Sequence, residues 1–394
     1  MPKTFPSPFR LDPIIPMSTR PTPNVAGFSI VETYHRLLKD DPDLAMPIAA
    51  IESLILLLQQ SNVTTVFETM DLLQAQSTYL KTHVKNPISL TAGTELFLRY
   101  IGQALEKSGR GAKSFETVRS ELIANAHLIV ERSKSQRDQI ALHGLNFIHD
   151  GCIVLTHGGS RTVGSILAKA AEISATRGST RFQVIYVING ARAHESAEAV
   201  AKLRAKGIPV ATISEGAVAY AMGNVSLVIV GAEGVVESGG IISRMGTYQI
   251  GQLAKAMKKP FYVAAETNKF VRFFPHGQFD LPVKQNVIDF KSEADVEAEK
   301  VRKMQIAAER LKVEMAAEKA KKEGGDDEYF APKKVHVDEL GVMDERSQLE
   351  LLLGEEACDA VDYTPPNLIS ALITENGVMT TAAVSDALIQ IYLA

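Results

Sequence analysis

Cys152-Ile153-Val154-Leu155-Thr156-His157-Gly158-Gly159-Ser160-Arg161-Thr162-Val163-Gly164 is the stretch that decides the fold. Cys152 to Thr156 form a short apolar run, strand-like in length. Two glycines and a serine follow, and a helical pattern starts at Arg161. A strand that turns at once into a helix is half of a βαβ unit. The alternation continues downstream. Gln183–Ile188, Val210–Ile213, Leu227–Val230 and Phe261–Ala265 read as further strands. Helices are expected between them at about 161–177, 195–206, 217–222 and 246–258. Continuous apolar strands separated by helices imply a parallel sheet with both faces covered. Ligands of such sheets bind outside the carboxyl ends of the strands. The turns after Thr156, Ile188, Ile213, Val230 and Ala265 are therefore where a site is expected.

Upstream, the periodicity is helical. Ile30, Val31, Tyr34, Leu37 and Leu38 repeat at helical spacing, and Pro47 suits the first turn of a helix carrying Ile51, Leu54, Ile55 and Leu58. Val66, Met70 and Leu73 continue the pattern, as do Leu96, Tyr100 and Ala104, and a long amphipathic segment runs from Phe115 to His143. Residues 1–27 hold seven prolines and read as an extended arm. Downstream, residues 291–335 carry eleven Lys/Arg and eleven Asp/Glu. A helix is expected over 294–323, with Val301, Met304, Ala308, Leu311 and Met315 spaced as a short heptad seam. The seam is too short for a coiled coil and reads as a solvated helical insertion. Gly324, Gly325 and the acidic run Asp326–Glu328 end it, and a flexible linker follows. Order is expected again near Val361. The resulting division is an arm over 1–27, a helical domain over 28–143, a sheet domain over 144–290, a charged helical insertion with linker over 291–357, and a return to the sheet domain over 358–394.

Composition sets the bounds. The 394 residues are 45% hydrophobic and 22% charged, with 27 Gly, 17 Pro and no Trp, a globular balance. The net charge of −4 leaves no general basic footprint for nucleic acid or an anionic membrane, though a local basic pocket is compatible with it. Two cysteines, Cys152 and Cys358, cannot build a disulfide framework or a four-cysteine zinc site, which suits a reducing compartment. No run reaches 18 apolar residues, so no membrane span is expected. The proline-broken start has no apolar h-region, so no secretory signal is expected either. The expected location is the cytosol.

Three constellations can carry chemistry. The first is the opening loop. Its glycines allow close backbone approach, Ser160 and Arg161 add donors, and the helix start presents free N–H groups, which makes a plausible phosphate cradle. It is neither a Walker A loop nor GxGxxG, and a tight turn capped by Ser160 explains it equally. The second is Val230-Gly231-Ala232-Glu233-Gly234-Val235-Val236-Glu237-Ser238-Gly239-Gly240, read as a strand ending in a glycine-rich loop before a helix. Glu233 there is a candidate base or hydroxyl acceptor, or else a cap or salt-bridge partner. The third is Thr91-Ala92-Gly93-Thr94-Glu95, read as small polar residues before a helix. They either close over a pocket or are an ordinary N-cap. Cys152 reads as a core cysteine and Cys358 has no assigned role. His157 is the only histidine at a sheet turn, and no metal site is expected.

The first two of these stretches closely resemble the alpha-subunit family of translation initiation factor 2B. So do Lys259-Pro260-Phe261-Tyr262-Val263-Ala264-Ala265-Glu266, Lys269-Phe270-Val271-Arg272, Val361-Asp362-Tyr363-Thr364-Pro365-Pro366 and Ala383-Val384-Ser385-Asp386. The resemblance covers about residues 28–290 and 358–394, with several motifs in the same order. It implies an α/β fold: an all-helical N-terminal domain, then a Rossmann-like parallel-sheet domain with a charged helical insertion, which over 291–355 is longer and more charged than that family usually shows. It also implies a homodimer that bridges two beta–gamma–delta–epsilon assemblies into a decamer. That complex exchanges GDP for GTP on initiation factor 2. The alpha subunit regulates it by helping to sense the phosphorylated alpha subunit of initiation factor 2, the inhibitory signal of the integrated stress response.

The same fold is implied for isomerases of methylthioribose 1-phosphate and ribose 1,5-bisphosphate. The methylthioribose enzymes place a catalytic cysteine after Thr-His, where this chain has Gly158. They place an aspartate after Gly-Ala, where it has Glu233. Both departures argue against catalysis. Their Asn-Lys-Ile-Gly-Thr reads Ser243-Arg244-Met245-Gly246-Thr247, which keeps a cation at the lysine position. The resemblance thus implies a regulatory subunit that is not an enzyme and needs no cofactor. Its pocket for a sugar phosphate or nucleotide monophosphate is expected to be lined by Thr156, His157, Ser160, Arg161, Glu233 and Arg244, with Gly93 and Thr94 from the helical domain. The alternative is a working sugar-phosphate aldose–ketose isomerase.

Overall fold

A computed structural model describes residues 28–41, 44–84, 87–109, 115–176, 178, 181–283, 285, 287–288, 290–298, 301–302 and 360–393. The expected arm over 1–27, most of the charged helix, the linker and Cys358 lie outside the described residues. Two compact units are distinguished, one holding the described residues up to 283 and from 361, the other holding residues 285, 287–288, 290–298, 301–302 and 360. In the second unit, residues 293–298 are helical and exposed.

Five helices open the first unit: α1 (Ile30–Asp40), α2 (Met46–Gln60), α3 (Val66–His83), α4 (Ile88–Gly109) and α5 (Phe115–Gly144). Local signals start them. Ser29 caps α1 by accepting the Glu32 N–H, and Thr65 with Glu68 forms a full capping box on α3. Pro47 does sit in the first turn of α2. Ile51, Leu54, Ile55 and Leu58 on α2 are buried beside Ile30, Tyr34, Leu73, Phe97 and Ile101. With ten of its fifteen residues buried, α2 is the central helix of this core.

The five anticipated strands are present as β1 (Ile153–His157), β2 (Gln183–Ile188), β3 (Val210–Ser214), β4 (Leu227–Gly231) and β7 (Phe261–Ala264). Between them run α6 (Arg161–Ala175), α7 (Ala193–Ala205), α8 (Val218–Ala221) and α9 (Thr247–Ala256). They form a seven-stranded sheet in the order β3-β2-β1-β4-β7-β10-β11, where β10 is Ala371–Thr374 and β11 is Gly377–Met379. Every pair is parallel except β10 with β11, which is antiparallel. Leu155, Val228 and Val230 pack into one core, and Val154, Val184 and Ile229 into another. That is why the strands read as continuous apolar runs rather than alternating ones. Helix α10 (Ala383–Leu393) closes the chain, with Val384 and Leu388 in the first of these cores.

Two expectations need correcting. The glycine-rich stretch after β4 does not lead directly to a helix. It folds as a hairpin, β5 (Gly234–Val236) and β6 (Ile241–Arg244), turned by Gly239 at φ +82°. With β8 (Phe270–Val271) and β9 (Val361–Thr364), the hairpin makes a second sheet in the order β8-β5-β6-β9. Second, Thr91–Glu95 is not a loop before a helix. It lies within α4, which starts at Ile88.

Candidate functional site

A cavity of about 990 Å³ opens at the carboxyl ends of β1 and β4. These two strands are neighbours, and the strand order reverses between them. Such a switch point leaves a crevice because the connections on either side run in opposite directions. Thr156, His157, Ser160, Arg161, Glu233 and Arg244 all line this cavity. Gly93 and Thr94 do not. A side chain at Gly93 would begin 2.6 Å from Pro47 Cβ, so this glycine lets α4 lie against the start of α2. Thr94 is buried and donates its hydroxyl back to Leu90 O at 2.9 Å.

The β1 turn is built by left-handed backbone. Gly158 has φ +79° and Gly159 φ +63°, conformations that L side chains rarely adopt. A side chain at 158 would press on Arg244, its Cβ 3.2 Å from Arg244 Cγ. The Gly159 N–H donates to the Tyr186 hydroxyl at 2.8 Å. Ser160 caps α6 by accepting the Val163 N–H at 3.3 Å. A side chain at Gly231 would collide with the Ser160 hydroxyl, so the ends of β1 and β4 approach closely. His157 is buried, and its Nε2 lies 3.1 Å from the Met245 carbonyl. That carbonyl only accepts, so Nε2 carries the proton. Burial pushes the imidazole pKa down, which keeps the ring neutral.

The cations are held in place. Arg161, first residue of α6, donates Nη1 to Leu44 O at 2.9 Å and so reaches the turn between α1 and α2. Arg244, at the end of β6, pairs its Nε with Glu233 Oε1 at 2.9 Å. Glu233 is buried. Its N–H donates to Ile242 O, and its own carbonyl accepts the Ser89 hydroxyl at 2.6 Å.

A second buried cluster also reaches the cavity wall. Glu266, after β7, accepts from Thr162 at 3.0 Å and pairs with Arg137 of α5 at 3.3 Å and with Lys269 at 2.9 Å. Burial alone would raise its carboxyl, but the Lys269 charge and hydrogen bond, with Arg137, hold it at about 2. The strand-end rule pointed to this turn, but the sequence gives no sign that Glu266 meets Arg137, 129 residues away. Asp362 is the other residue the sequence reading did not assign. Its carboxylate accepts the Gly246 N–H at 2.7 Å and the Tyr248 N–H at 3.0 Å, which caps α9. Burial pushes its pKa up to about 7 against those donors.

The chemistry on offer is anion binding: guanidinium groups, a helix N-terminus and positive-φ glycines around one cleft. Among the described residues, no three His, Cys, Asp or Glu side chains gather as a metal site, and no helix is long and apolar enough to cross a membrane.

Comparison with known proteins fits this geometry. The Initiation factor 2 subunit family matches over residues 39–381. Translation initiation factor eIF2B subunit alpha of Dictyostelium discoideum is 32% identical over 365 residues, 92% of this chain and 96% of that protein. A ribose 1,5-bisphosphate isomerase of Archaeoglobus fulgidus is 32% identical over 183 residues, 46% of this chain and 53% of that enzyme. Among solved structures, a chain of the tetrameric eIF2B-beta2-delta2 complex from C. thermophilum superposes with a TM-score of 0.60. It is 22% identical and covers 93% of this chain and 95% of that one, a likeness of fold. The isomerase match spans about half of each chain, whereas the family match runs from α1 to the turn before α10. This chain therefore belongs to the Initiation factor 2 subunit family, as a relative of the eIF2B alpha subunits that is also related in sequence, over about half its length, to a ribose 1,5-bisphosphate isomerase.

Proposed function

We propose that this protein is a non-catalytic regulatory subunit of an initiation factor 2B complex in the cytoplasm. In this reading it homodimerises and joins two beta–gamma–delta–epsilon halves into a decamer. It then helps the complex respond to the phosphorylated alpha subunit of initiation factor 2 by slowing GDP/GTP exchange. Its strand-end cavity holds a sugar phosphate or nucleotide monophosphate as a ligand, not as a substrate. The observation that carries this reading is the near full-length match to an eIF2B alpha subunit.

The site chemistry supports it. At 158, where the resemblance puts the isomerases' cysteine, this chain has a left-handed glycine with Arg244 packed against it. At 233 it has a glutamate engaged with that same arginine. No thiol stands on this turn, and Cys152, before β1, is buried with its thiol pKa pushed up by burial. The isomerase reading keeps one point in its favour, the partial match to a ribose 1,5-bisphosphate isomerase. Purified protein incubated with methylthioribose 1-phosphate or ribose 1,5-bisphosphate decides between them. No ketose above a Glu233→Ala control is expected. Turnover above that control would overturn the regulatory reading.

A further inference from the structure

Arg244 and Glu233 form an ion pair inside the cavity wall, with side chains only 18% and 9% exposed. Water cannot solvate either charge fully at that depth, so each depends on the other. The pair therefore balances both charges within the cavity wall. It also stands in the way of any ligand whose phosphate needs Arg244. We propose that Glu233 is a resident counter-anion: its carboxylate occupies the place on Arg244 that a ligand's phosphate takes, and the ligand binds by displacing it. This deepens the phosphate-pocket reading above and rests on it.

Two features support exchange over a fixed structural pair. The backbone of residue 233 is held on both sides, by its N–H to Ile242 O at 2.9 Å and by the Ser89 hydroxyl on its carbonyl at 2.6 Å. Release therefore needs only rotation of a flexible side chain. Glu233 lines the same cavity as Arg161 and the N-terminus of α6, so an incoming anion meets a second guanidinium and helix N–H groups there as well as Arg244. The exchange also sorts ligands. Swapping one carboxylate for another gains little at Arg244, whereas a phosphate brings up to two charges and three acceptor oxygens. The pocket thus selects phosphate monoesters over sugar acids.

The test is calorimetric titration of inorganic phosphate and, separately, fructose 6-phosphate into the wild-type protein and Glu233→Gln, with Glu233→Ala alongside and thermal unfolding as a check on folding. Glu233→Gln keeps the shape and removes the competing charge. It is expected to bind inorganic phosphate about tenfold more tightly, and Glu233→Ala at least as tightly as wild type. Equal or weaker phosphate binding by the folded Gln variant overturns the proposal, as does no binding to any of the proteins. If phosphate binding strengthens while fructose 6-phosphate binds none of them, the counter-anion stands and the sugar-phosphate reading of the pocket fails.

Discussion

Replacing Glu266 with alanine is expected to destabilise the protein by about 3–5 kcal/mol, read as a fall in the denaturant midpoint. Glu266 is buried, with Arg137 at 3.3 Å, Lys269 at 2.9 Å and the Thr162 hydroxyl at 3.0 Å. The two cations are themselves only 18% and 16% exposed. Without the carboxylate, both positive charges stay in a poorly solvated site and lose their shared countercharge. Three elements separate at once, because Arg137 belongs to α5, Thr162 to α6 and Lys269 to the turn after β7. A loss below about 1 kcal/mol, the value of a typical exposed pair, would contradict this account.

The same carboxylate sets a pH dependence. Its folded pKa is held at about 2, below its ordinary value, so the unfolded chain binds its proton first as pH falls. Its stabilisation is complete above the ordinary glutamate range near 4.5 and is lost as pH drops from there through about 2. Urea midpoints measured across that window are expected to fall with pH in the wild type. In Glu266→Gln the slope is expected to be shallower. Equal slopes in the two proteins would remove Glu266 from the acid response.

Arg161→Ala is the second large effect, expected to weaken phosphate-ester binding by about 10- to 100-fold, since a hydrogen bond to a charged group contributes about 1.5–3 kcal/mol. Arg161 is the first residue of α6, where the helix dipole and its side chain converge on the cleft. It also loses its bond to Leu44 O, so the turn between α1 and α2 is released in the same variant. Calorimetry with fructose 6-phosphate reads the first effect, and amide hydrogen exchange near Leu44 reads the second. Unchanged affinity would take Arg161 out of the site.

Much of this fold was legible because its signals are local. The five central strands are apolar on both faces, and the sharp turn at Gly158-Gly159-Ser160 announced the first βαβ unit. The strand-end rule then located the cavity. The β5–β6 hairpin was missed because Gly231, Gly234, Gly239 and Gly240 read as a loop. Its strands are three and four residues long and gain their identity from pairing with β8 and β9. Gly93 and Thr94 were misplaced for a related reason. A glycine and two threonines look like a helix boundary, yet they lie inside α4, where residue 93 is glycine because a side chain there would meet Pro47. The Glu266 cluster and the Asp362 cap join residues more than a hundred positions apart, and no periodicity reports such pairs. The resemblance supplied the motifs of Asp362 and Glu266 without their geometry.

The central claim is that this chain serves as a subunit of an exchange factor rather than as an enzyme of the same fold. Co-expression with the beta, gamma, delta and epsilon subunits of initiation factor 2B, followed by mass measurement of the purified assembly, tests it most directly. The account predicts one particle holding two copies of all five chains. A four-subunit particle that forms without this chain, however much of it is supplied, would contradict it.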